Sequence, residues 1–254
     1  MNSKLFLILI CLIAPTFALA TPSSTYWAPS VATCQAFKVP HVTYDTYFGR
    51  GPTAGTQGAP NYPVDTGLTI GVLPFSQIQA EVGFDILLPT DDPFLANGKL
   101  CTPESSLFDG SPAIGLGIYN SGFKQEATDY NVLYLQIQKT IPNIGGYVSV
   151  GGYRAMSSRL MTNSDGNVVQ SGFMAGVGSP DIKVNLTGLK KIVLAADIQT
   201  GKNVLGGGGF GSYFYFTDTI SLLTGPVWFS DKGLQPGGRE MLWTVQLDVD
   251  IPLE

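Results

Sequence analysis

Charge is scarce in this sequence. Only 13% of its 254 residues are Asp, Glu, Lys or Arg, and His41 is the single histidine. With one histidine and no Cys-x-x-Cys pair, a zinc or iron centre has no obvious ligand set, so neither a metal nor a cofactor is expected. Basic residues number 14 against 19 acidic ones. Nucleic acid calls for a basic surface, so this balance argues against it as a partner. Long apolar runs are missing too. Beyond the first twenty residues no stretch of about 18 apolar residues occurs, and no helix is expected to span a bilayer. Yet 44% of the chain is hydrophobic and 31 residues are glycine. Apolar character without a spanning helix leaves a soluble all-β core or a barrel closed in lipid.

The first twenty residues stand apart. Lys4 supplies a positive start, Leu5 to Phe17 an apolar run broken by Pro15, and Ala18-Leu19-Ala20 a small-residue cleavage site. This is the pattern of a secretory signal peptide. Ile10 precedes Cys11 where a lipoprotein site would want Gly or Ala, so no lipid anchor is expected. Loss of the leader removes one basic residue, Lys4, and no acidic one, taking the formal charge from −5 to −6. Of the three cysteines, Cys34 and Cys101 then remain. In an exported protein the default expectation for such a pair is a disulfide. The organisation expected is a signal peptide over 1–20, a periplasmic N-terminal segment over 21–36 and a β domain over 37–254.

What the mature chain does have is a rhythm. Ile78-Gln79-Ala80-Glu81-Val82-Gly83-Phe84-Asp85-Ile86 alternates apolar with small, polar or acidic residues, and so does Trp243-Thr244-Val245-Gln246-Leu247-Asp248-Val249-Asp250-Ile251. Strand side chains alternate between faces with period two, so one face is oily and the other carries carboxylates and amides. About twelve such strands are expected, over 37–48, 62–72, 77–89, 94–102, 111–120, 130–139, 144–156, 168–179, 191–200, 204–216, 220–230 and 240–251. Connections alternate in character. Tight turns fall at 73–76, 140–143 and 217–219, while polar, Gly-rich loops fall at 49–61, 121–129, 157–167 and 231–239. Exceptions are the short 90–93 and 201–203 and the long 180–190.

These features together resemble Gram-negative outer-membrane β-barrel proteins of about twelve strands. The resemblance covers residues 37–252 and includes aromatics near strand ends: Phe48, Tyr62, Phe75, Tyr130, Phe216, Trp228 and Trp243. It implies a closed antiparallel transmembrane β-barrel with periplasmic N- and C-termini, placed in the outer membrane with lipid as its surroundings. Both cysteines then fall at the periplasmic end, where a bridge would staple the N-terminal segment to the rim. One departure is the ending Ile251-Pro252-Leu253-Glu254, where such barrels commonly finish on an aromatic residue.

Catalytic motifs are weak. His41 shares a strand face with Thr43 and Asp45, but no Gly-x-Ser-x-Gly elbow accompanies it. Gly206 to Gly211 formally matches a dinucleotide fingerprint, yet Ser212-Tyr213-Phe214-Tyr215-Phe216 continues as strand instead of helix. Those glycines are expected to permit strand coiling or to leave room for large lumen side chains from neighbouring strands. No enzymatic activity is expected. The most suggestive set is acidic. Asp45, Asp65, Glu81, Asp85, Asp197, Asp248 and Asp250 all fall on the polar phase of their strands. One reading is a cation-favouring lumen, since carboxylate rings select cations. The other is a hydrogen-bonded polar filling in which they pair with Arg154, Arg159, Lys191 and tyrosine hydroxyls. Eight strands enclose a filled interior and sixteen or more a water-filled one; twelve lies between. The expected function is a small channel or passive porin-like transporter for small solutes. The alternatives are a structural or adhesive barrel with a filled lumen, and a soluble exported barrel that binds an apolar ligand. Oligomeric state stays open.

Overall fold

The computed structural model describes residues 23–49 and 63–253. The signal peptide, Tyr62 and most of the expected 49–61 loop lie outside the described residues. Thirteen strands form one sheet: β1 Pro40–Phe48, β2 Val64–Gly71, β3 Gln79–Leu88, β4 Phe94–Thr102, β5 Ala113–Gly122, β6 Asp129–Thr140, β7 Tyr147–Ala155, β8 Ser171–Gly178, β9 Ile182–Leu186, β10 Leu189–Gln199, β11 Gly207–Tyr215, β12 Ile220–Phe229 and β13 Met241–Asp250. Every pairing between named strands is antiparallel, β13 pairs with β1, and β10 pairs with both β8 and β11. Twelve strands thereby close into a barrel, which leaves those strands no open edge.

All twelve expected strands are present. The additional one, β9, lies within the stretch expected as the connection 180–190. It continues the line of β8 past Ser179-Pro180-Asp181 and pairs with the first residues of β10, Lys183 opposite Lys191 and Ile182 opposite Ile192. Pro180 cannot donate a ladder hydrogen bond, which explains why one long strand is split into two. A second proline acts similarly in β12. Gly209 pairs with Val227 and Ser212 with Thr224, but the ladder lapses between them, opposite Pro226.

The alternation sorts as oil outside and polar groups inside. Val82 and Leu194 are 47% and 48% exposed on the outer face. Their strand neighbours Glu81 and Ala195 are buried within. Phe48, Phe75, Phe216, Trp228 and Trp243 are exposed near strand ends, but Tyr130 is half-buried and packs against an internal cluster. That cluster gathers Ala28, Tyr119, Val132, Tyr134, Tyr153 and Met161, and a second gathers Tyr26, Tyr47, Leu223, Val227 and Phe229. Trp27 packs against both, with edge-on ring contacts to Tyr47 at 5.8 Å and Phe229 at 5.3 Å. The apolar core therefore lies inside the barrel, around residues that precede the first strand.

Candidate functional site

Residues 23–36, expected as a segment stapled at the rim, lie within the lumen as a re-entrant loop. Its two limbs meet on one carboxylate. Ser23 donates from its backbone nitrogen and hydroxyl to Glu81 (3.2 and 2.7 Å), and the Gln35 nitrogen donates to the same group at 2.6 Å. Its apex is held by a second carboxylate. Asp197 accepts from the backbone nitrogens of Tyr26, Trp27 and Ala28 and from the Ser30 hydroxyl, all at 2.9–3.0 Å. A loop without regular structure must satisfy its backbone donors one by one, and buried carboxylates on the wall do so here. Cys34 is bonded to Cys101 of β4, with Cα atoms 5.9 Å apart, which ties the returning limb to the inner wall.

Small inward residues make room for the loop. A Cβ added at Gly209 or Gly211 would lie 2.6 Å from the Tyr26 ring, and one at Gly225 would lie 2.8 Å from its hydroxyl. The glycines of β11 thus leave space for a large lumen side chain, but that side chain comes from the re-entrant loop and not from a neighbouring strand. The Tyr26 hydroxyl donates to the Pro226 carbonyl at 3.0 Å, where the ladder lapses.

The seven acidic positions divide by partner. Glu81 and Asp197 anchor the loop. Glu81 also pairs with Lys99 at 3.2 Å, and both side chains are fully buried. Asp85 accepts from Asn97 at 3.3 Å. His41 sits between Asp250 (2.9 Å) and Asp248 (3.5 Å), and Gln35 Nε2 also donates to Asp250. Asp45 and Asp65 face each other across β1 and β2, and Oδ1 of each has no hydrogen-bond partner among the described residues. None of the cations expected to neutralise this set forms an ion pair with it among the described residues. Arg154 is exposed on the outer face, Arg159 pairs with Glu126, and Lys191 pairs with Asp181. Lys99, a lumen cation that the sequence reading missed, falls on the polar phase of β4. That signal was available in Leu95-Ala96-Asn97-Gly98-Lys99-Leu100-Cys101.

Among the described residues, two cavities lie beside the loop. The larger, about 320 Å³, lies at the end where β1 begins and β13 finishes, with His41, Asp45, Asp248 and Asp250 in its wall. The smaller, about 120 Å³, is walled by Asp45, Asp65, Asp85 and Gln199 and reaches Leu87 and Asn120 near the other ends of their strands. Ser24, Asp45 and Gln246 belong to both. Among the described residues, no three His, Cys, Asp or Glu side chains converge closely enough to hold a metal ion.

No family model matches this chain, and no curated protein matches it either. Solved structures do. The NanC porin structure superposes with a TM-score of 0.51 at 8% identity, covering 84% of this chain and 100% of that one. The closed antiparallel barrel fold is shared with that porin. An outer membrane channel from Pseudomonas putida F1 aligns over 91% of this chain and 100% of its own at 12% identity, with a TM-score of 0.44. At such identities the likeness is one of fold.

Proposed function

We propose that this chain is a passive outer-membrane channel for small solutes, with an acidic lumen that favours cations. The observation that carries this reading is the pair of acidic-walled cavities flanking the re-entrant loop and meeting at Asp45. A water-lined route along the inner face of β1 would join them, since unpartnered buried oxygens such as those of Asp45 and Asp65 call for water or a cation. The outward Leu, Val, Ile and Phe side chains suit lipid, and the exposed strand-end aromatics suit its two interfaces. In this orientation the end with His41 and Asp250 faces the periplasm. The NanC porin, which shares the barrel fold, is a precedent for a porin on this architecture.

Reconstitution of the disulfide-bonded mature chain in planar bilayers tests the reading. Discrete current steps are expected, with a reversal potential on the cation-selective side in a salt gradient. Asp45→Asn should reduce that selectivity while leaving the steps present. A barrel that inserts but gives no steps above background would sink the channel. The second reading would then stand, a structural barrel whose lumen the re-entrant loop fills. Recovery of the chain in the soluble periplasm without detergent would overturn the membrane location itself.

A further inference from the structure

The larger cavity has walls of two kinds. One is acidic. Asp45 on β1 pairs with Gln246 of β13, and Thr43 pairs with Asp248, so Asp45 and Asp248 are diagonal neighbours on one inner face. That relation places them about 7–8 Å apart. Asp45 is 5% exposed and its Oδ1 has no hydrogen-bond partner among the described residues, a costly state that a donor entering the cavity would relieve. Asp248 already touches His41 and Ser221, but a carboxylate offers about four acceptor sites and retains capacity.

The other wall is aromatic. Tyr147, Tyr213 and Tyr215 line it. Two of these rings are fixed through their hydroxyls, Tyr147 to Thr25 Oγ1 at 3.1 Å and Tyr213 to the Thr25 carbonyl at 3.0 Å. The Lys191 ammonium stands 4.5 Å over the Tyr215 ring, so this wall already accommodates an alkylammonium group. A bare metal ion would find its carboxylates spread too far. A molecule with two positive ends and an apolar link would meet both carboxylates and lay the link along the rings.

We infer that this cavity binds short linear diamines, one ammonium on Asp45, the other on Asp248, with the methylene link against Tyr213. The inference deepens the channel reading and rests on it for the route by which the amine arrives, whereas binding itself needs no current.

Calorimetry on the detergent-solubilised, disulfide-bonded mature chain separates the two. Putrescine is expected to bind saturably, about tenfold or more tighter than butylamine, because only the diamine makes both charge-assisted contacts. Asp45→Asn and Asp248→Asn should each lower putrescine affinity about tenfold and leave butylamine affected by one of them at most. Asp109→Asn, in the exposed 103–112 loop, should change neither. Heat-modifiable gel mobility checks folding, and Asp248→Asn decides the matter if Asp45→Asn does not fold. Equal affinity for the two amines, or putrescine binding indifferent to both Asn variants, overturns the inference. Diamine binding without current in bilayers sinks the channel and leaves the site standing. Current without diamine preference does the reverse.

Discussion

At the scale of the residue, Glu81 and Lys99 show how a buried ion pair is stabilised by what surrounds it. Each is wholly removed from solvent, a state that costs several kcal/mol per ion unless the remaining acceptors are filled. Here they are filled. Glu81 also accepts from Ser23 and Gln35, and Lys99 Nζ donates to the Ser23 carbonyl at 3.3 Å. The pair therefore links wall to loop, and its loss would strand a buried carboxylate. Lys99→Met should destabilise the barrel by about 3–5 kcal/mol in urea unfolding followed by tryptophan fluorescence. A loss below about 1 kcal/mol would mean that the loop donors alone hold Glu81.

At the scale of the element, the period-two pattern decides which side chains face outward and which face the lumen. β3 carries Val82 outward and Gln79, Glu81 and Asp85 inward. β10 carries Leu194 outward beside inward Asp197. Leu194→Arg should cost about 2–4 kcal/mol in refolding into lipid, as expected for an outward site near the bilayer midplane. Gln79→Arg, on the inner face near a strand end, should cost clearly less. Equal costs would show that the outer face does not lie against lipid. Prolines shape the elements too. Pro180 separates β8 from β9, and Pro226 opens the gap in the β11–β12 ladder that the Tyr26 hydroxyl uses.

At the scale of the whole molecule, the barrel is a wall and the re-entrant loop occupies part of the space it encloses. Twelve strands enclose more room than their own side chains occupy, and glycines on the inner faces of β11 and β12 widen it further. The loop takes up part of that room with Tyr26 and Trp27, and two cavities lie beside it among the described residues. A chain lacking residues 23–33 should therefore show larger unitary conductance in planar bilayers than the intact protein. Unchanged conductance would place the limiting constriction elsewhere, in the loops at the far end. The Cys34–Cys101 bond, across 67 residues of sequence, keeps the loop from leaving the lumen as a unit.

Twelve strands, their inner and outer faces, and the paired cysteines could all be read from the sequence, because strand periodicity is a local property and export makes a disulfide the default. The same periodicity put all seven acidic residues on the polar phase. It could not say which carboxylates would be bound by backbone. Segment 23–36 has no period, and nothing in Ser23-Ser24-Thr25-Tyr26-Trp27-Ala28 announces that it enters the barrel. Only closure of the sheet, by pairing β10 with β11 and β13 with β1, brought Asp197 and Glu81 onto that segment across 171 and 58 residues. Contacts so distant in sequence depend on the diameter and register of the finished barrel. The tertiary structure therefore decided the division of the acidic face into loop anchors and cavity walls.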